Sequence, residues 1–205
     1  LAMARVKFGG QELVITRTGY TNELGLEFYT EPHHDADALW RHLKQAGEPY
    51  GIDIFGLDSM HIRRIEAGIL NAGSDFDDST TPYDVGLGIF VDQDKGDFIG
   101  QAALKAATKK TRLIGLLCVA EPHIGAAIML DGQTIGKVTA GAMSPYLKQG
   151  IGIALMLKSG YPPDTLVSVG CIDGTLHKGQ LAELPLYDKA GAIQRGIMTE
   201  VPVRD

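Results

Sequence analysis

Two segments carry carboxylates in settings that suit recognition chemistry. The first is GYTNELGLE, residues 19–27, where Tyr20 and Glu27 share one stretch and Tyr29 lies just beyond. A carboxylate presents two acceptor oxygens in one plane. These match the paired N–H donors of an aminopyrimidine or guanidinium-like ring edge, and a neighbouring aromatic can stack on that ring. Glu27 also has a plainer account. Residues 24–30 alternate, with Leu24, Leu26 and Phe28 on one face of a predicted strand and Gly25, Glu27 and Tyr29 on the other, so Glu27 would simply face solvent. The second segment is RRIEAG, residues 63–68. A helix that carries Arg63, Arg64 and Glu66 is most simply explained by ion pairs to neighbouring loops.

Other chemistries find little support. His33 and His34 are adjacent and point apart, and neither HExxH nor a Cys/His ligand spacing occurs among the six histidines, so no metal site is expected. Gly86-Leu87-Gly88 lacks the third glycine and the following helix of a dinucleotide loop, and KGDFIG lacks a Walker ending. No GxSxG elbow is present, and Ser144-Pro145 reads as a turn after a strand rather than a nucleophile. Cys118 and Cys171 lie in separate apolar segments without metal or redox spacing, which predicts reduced, buried, inert thiols and fits a cytoplasmic protein.

The elements that must position these residues follow from periodicity. Residues 4–17 alternate on both sides of Gly9-Gly10, the pattern of a hairpin. Residues 35–46 place Ala38, Leu39, Trp40 and Leu43 at helical spacing behind an Asp35 cap, and Gly47 ends the run. Residues 57–67 form a second predicted helix, capped by Asp58 or Ser59 and stopped at Gly68. A third covers roughly 100–109. Beyond about residue 108 no helical period survives, and short apolar runs alternate with turn pairs such as Asp131-Gly132 and Asp173-Gly174, as in a barrel or sandwich. The expected fold class is therefore α+β, with an α+β part over 1–108 and an all-β domain over 109–205.

Composition narrows the function classes. The 205 residues are 44% hydrophobic and 21% charged, enough apolar surface for a real core, and no apolar run reaches the length of a membrane helix. The 26 glycines predict many tight turns. A net charge of −6, with a single short basic cluster at 105–112, argues against nucleic acid as a partner. The sequence starts at Leu1 with no visible leader, so it is expected to be a piece of a longer protein.

Taken in order, GYTNELGLEFY, GLDSMHIRRIEAGILNAGSDFDDSTTPYDVGLGIFV, KGDFIGQAAL and GQTIGKVTAGAMSPYLKQGIGIALM resemble the glycine-cleavage T-protein (aminomethyltransferase) family over about residues 6–188. The resemblance implies an incomplete folate-binding core followed by a small antiparallel β-barrel. It also implies a tetrahydrofolate-dependent transferase that moves a methylene or methyl group from an amine, aminomethyl or sulfonium donor to folate. In that family the GYTGExGxE segment supplies the pterin clamp, which maps onto Tyr20 and Glu27, and Asn22 replaces a glycine whose left-handed backbone it can adopt.

Two departures qualify what the resemblance carries over. Met60 stands where aminomethyltransferases carry an arginine against the anionic or benzoyl side of folate, leaving Arg63 or Arg64 as the cation near the cavity. This brings the chain nearer to the demethylase-like and sarcosine or dimethylglycine oxidase-associated branches. The family's catalytic aspartate lies upstream of any residue here, so no catalytic residue is expected in this chain, and the 205 residues alone are expected to lack turnover. The alternative is a non-catalytic folate-binding or assembly module that docks to a dehydrogenase or carrier protein.

Overall fold

Gly9 and Gly10, both at positive φ, reverse the chain in a two-residue turn that only such backbones allow. They join β1 (Met3–Phe8) to β2 (Gln11–Thr16), which pair antiparallel with Phe8 opposite Gln11. The computed structural model describes residues 2–198. These divide into two compact units, one formed by residues 2–60 with 190–198, the other by His61–Lys189.

The first unit holds a three-stranded antiparallel sheet in the order β1-β2-β3, with β3 at Glu27–Tyr29. The expected strand over 24–30 is cut to its last residues. Asn22 sits at a φ of 58°, and the Arg17 guanidinium donates to the Gly25 carbonyl at 2.9 Å, so residues 21–26 bend off the ladder. The helix α1 (Ala36–Gly47) starts at Asp35, whose side chain accepts the Ala38 amide at 2.8 Å. Gln11 grips that cap from the hairpin, donating to the Asp35 carbonyl and accepting the Asp35 amide. Leu13, Leu39 and Ile193 are the buried apolar side chains of this unit, whereas Trp40, on the expected core face of α1, is exposed.

In the second unit, α2 (Leu57–Ala67) contributes its residues from His61 onward and stops at Gly68, which adopts a φ of 69°. The short helix α3 (Gln101–Ala106) lies within the predicted 100–109 segment. Strands β4 (Leu113–Cys118), β5 (Ala127–Leu130), β6 (Gln133–Ser144), β7 (Gln149–Met156), β8 (Leu166–Gly170) and β9 (Leu176–Ala182) close into an antiparallel barrel in the order β4-β7-β6-β5-β8-β9. No helix occurs among its described residues after α3.

Leu116, Ile128, Val138, Ala154, Val169 and Leu181 belong to one buried cluster of the barrel. On β7 the neighbours of Ala154 alternate to the other face, where Ile151 and Ile153 join Ala140 and Ala142 around Ile65 of α2. A helix therefore covers one outer wall, which explains why β6 and β7 are buried on both faces and read as near-continuous apolar runs. The compact units divide at 60/61, ahead of the 108/109 boundary suggested by sequence texture, because residues 61–112 are tied to the barrel by buried polar bonds.

Candidate functional site

Glu27 opens β3, where it pairs with Thr16 and is only partly exposed. It is therefore less exposed than its strand neighbours Phe28 and Tyr29, and Leu24 and Leu26 are open to solvent at 60% and 57%. The two faces expected from alternation are thus not realised, because residues 21–26 leave the strand geometry on which alternation depends. Two hydroxyls hold the carboxylate: Thr18 donates to Oε2, and Tyr29 donates to the same oxygen at 3.3 Å. Both of these bonds fall on Oε2, which leaves Oε1 as the acceptor that a ligand donor would meet. Tyr20 lies in the bend that leads into β3 and is partly buried. Asn22 Nδ2 in the same bend is a buried donor without a partner among the described residues. An open carboxylate oxygen, an unsatisfied amide donor and aromatic side chains within one short segment suit a flat heterocycle with both donor and acceptor edges.

Arg63 and Arg64 belong to the other unit and are almost fully buried. Arg63 pairs with Glu66 one turn along α2 and lies over the Tyr187 ring, 4.7 Å from its centre. Arg64 Nη1 donates to Asp75 Oδ2 at 2.7 Å and to the Ile69 carbonyl at 3.2 Å. The network continues into the barrel: Ser144 Oγ donates to Glu66 Oε1 at 2.5 Å, and Thr139 Oγ1 donates to Asp75 Oδ1 at 2.6 Å. The ion-pair explanation of this helix is what the geometry displays, with Glu66 and Asp75 as the anions that take up both guanidinium groups. Asp75, Thr139 and Ser144 were not singled out in this role from sequence, and only an acid near RRIEAG hints at it. Ser144 also accepts the Leu147 amide at 2.8 Å, consistent with a turn.

Asp84 provides a second tie. Its carboxylate accepts Arg112 Nε at 2.7 Å, and its carbonyl accepts the Arg112 and Leu113 amides at the start of β4. Burial acts to raise its pKa, but the bonds from Arg112 and Thr81 outweigh this and hold the carboxyl below the usual carboxylate range. The same unit contains a 580 Å³ cleft lined by Leu70, Val85, Leu113, Met156, Lys158 and Leu184, among others, and by none of Tyr20, Glu27, Arg63 or Arg64. Among the described residues no cluster of His, Cys, Asp and Glu is able to hold a metal ion, and no helix is long and apolar enough to cross a membrane.

Residues 1–95 match the GCVT N-terminal domain, and residues 111–188 match the glycine cleavage T-protein C-terminal barrel domain. The chain belongs to the glycine cleavage T-protein family. Relatives within the family include an aminomethyltransferase of Caldanaerobacter subterraneus subsp. tengcongensis, 41% identical over 74% of this chain and 42% of its own length. An aminomethyltransferase of Streptomyces avermitilis is 37% identical over 87% of this chain and 50% of its own. The crystal structure of glycine cleavage system aminomethyltransferase T from Bartonella henselae superposes with a TM-score of 0.75 at 27% identity, over 86% of this chain and 50% of that one. The chain thus spans half or less of the length of these T-protein relatives. The mixed helix and sheet content and the closed six-stranded barrel are those expected of the family.

Proposed function

We propose that these residues supply the pterin clamp and barrel of a tetrahydrofolate-dependent one-carbon transferase. The substrates are folate and a small methylated or aminomethylated donor of the amine, aminomethyl or sulfonium type. Tetrahydrofolate, when bound, supplies the nitrogen that accepts the one-carbon unit. Glu27 orients it by accepting an N–H of the ring edge on Oε1, while Thr18 and Tyr29 fix the carboxylate plane through Oε2. Tyr20 stacks on the ring, and Asn22 Nδ2 meets a ring acceptor. Arg63 and Arg64 belong to the buried frame of α2 in the other unit, where Glu66 and Asp75 accept from them. No residue of this chain is assigned to proton transfer, so the 205 residues bind without turnover. The names of the relatives favour a transferase over a docking module.

The observation that carries this proposal is the half-buried Glu27 carboxylate, held at one oxygen and open at the other. Titrating tetrahydrofolate into the wild type and Glu27→Ala tests it. Loss of a charge-assisted pair should cost about 1.5–3 kcal/mol, roughly one to two decades of affinity. Equal affinities would remove Glu27 from the site. Robust methyl or methylene transfer by the purified chain would overturn the assignment of binding without catalysis.

A further inference from the structure

The two cysteines, 53 residues apart in the chain, meet inside the barrel with their sulfurs 3.6 Å apart. Strands β4 and β8 both pair antiparallel with β9, so they run parallel and end at the same end of the barrel. Cys118 is the last residue of β4, and Cys171 directly follows β8. The chain leaving β4 then folds back beside the chain leaving β8. Pro122 bridges to Cys171, the Ile172 amide donates to the Glu121 carbonyl, and the His123 amide donates to the Gly170 carbonyl. Both thiols belong to the buried interior cluster with Leu116, Val169 and Leu181.

We propose that Cys118 and Cys171 are a latent disulfide site that fastens this end of the barrel when the protein is oxidised. The pair needs only a two-electron oxidant, and a hydroperoxide supplies the chemistry. One sulfur, as thiolate, attacks the outer peroxide oxygen, the O–O bond breaks and an alcohol departs, leaving a sulfenic acid. The second sulfur attacks the sulfenic sulfur, the S–S bond forms and water leaves. The sum is two thiols plus one hydroperoxide giving one disulfide, one alcohol and one water, with the thiols oxidised and the peroxide reduced.

Two features set the conditions. At 2% and 3% exposure the thiols admit only a small oxidant. Burial and the neighbouring Cys118 thiol push Cys171 up to about 12, so thiolate is scarce at neutral pH and closure is slow in the folded barrel, faster as pH rises. The surrounding backbone has little freedom to separate the sulfurs. A Cβ on Gly150 would lie 1.9 Å from the Ala120 carbonyl oxygen, which shows how closely the segment after Cys118 is pressed onto β7.

The test is to expose the fully reduced 205-residue chain to hydrogen peroxide at neutral and alkaline pH, then denature it, block free thiols with a maleimide and measure intact mass and melting temperature. The expected product is a monomer lighter by two hydrogens that takes up no maleimide. It should yield a peptide joining Cys118 to Cys171, melt higher than the reduced chain, form faster at alkaline pH and revert with dithiothreitol. Two maleimide-reactive thiols after prolonged exposure, sulfinic or sulfonic products, or an intermolecular link would each overturn the proposal. Cys118→Ala and Cys171→Ala should each lose the oxidation-dependent rise in melting temperature, and a rise that persists in either also overturns it. The wild-type peptide map decides the matter independently should a variant fail to fold.

Discussion

Asp75 has no exposed side-chain surface and accepts from three directions: Arg64 Nη1, the Asn71 amide at 2.8 Å and Thr139 Oγ1. Removing one member of such a buried pair strands the other charge without water. Asp75→Ala should therefore destabilise the protein by about 3–5 kcal/mol in denaturant unfolding, and a loss comparable with that of a surface substitution would show that Arg64 finds another anion. Asp84 behaves differently because it remains partly accessible. Its pKa is lower folded than unfolded, so its stabilisation is present above the ordinary value of 3.8 and disappears as pH falls through the depressed folded value. Thermal melts should thus lose stability on acidification below about pH 4, and Asp84→Asn should remove part of that dependence. An unchanged acid limb would dissociate Asp84 from it. At this scale the sequence was informative about residue type and silent about partners. RRIEAG announced ion pairing, but Thr139 and Ser144 reach Asp75 and Glu66 across 64 and 78 residues, a separation that only the fold closes.

Elements were legible where local rules suffice. The Gly-Gly hairpin, the Asp35 cap, the Gly68 stop and the absence of helix among the described residues after α3 all follow from turn chemistry and periodicity. The strand at 24–30 is shorter than its alternation predicts because an Asn in a left-handed conformation and an Arg17 bond to Gly25 divert it, and neither leaves a mark on alternation. Trp40 misled in another way: helical spacing located α1, yet of the apolar residues marked on it only Leu39 became buried. Several glycines of the barrel are explained by close approach rather than by turns. The Gly141 position would place a Cβ 2.0 Å from the Pro122 carbonyl oxygen, and Gly150 is equally crowded. Gly150→Ala should therefore push the 119–122 segment off β7 and cost about 1–3 kcal/mol or more; a neutral effect in equilibrium unfolding would mean that the segment shifts freely.

For the whole molecule, the family's domain division and the physical one differ. The family models meet between residues 95 and 111, whereas the compact unit that contains the barrel begins at His61. A chain of residues 109–198 loses Ile65 from the outer wall of β6 and β7, along with Glu66 and Asp75, and leaves Ile151 and Ile153 facing water. It should melt lower and aggregate more than a chain of 61–189, which differential scanning calorimetry and light scattering would resolve. Equal behaviour would place the folding boundary at 108/109. The barrel's closure also has a kinetic side. Its last seam joins β4 to β9, bringing Cys118 to Lys178 across 60 residues, after the hairpins β5-β6, β6-β7 and β8-β9 have only short loops to close. Loop-closure entropy places that seam late on the folding path. Substitutions along it, such as Leu181→Ala, should quicken unfolding while leaving the refolding rate nearly unchanged, so the seam governs how long a folded barrel persists rather than how fast it forms.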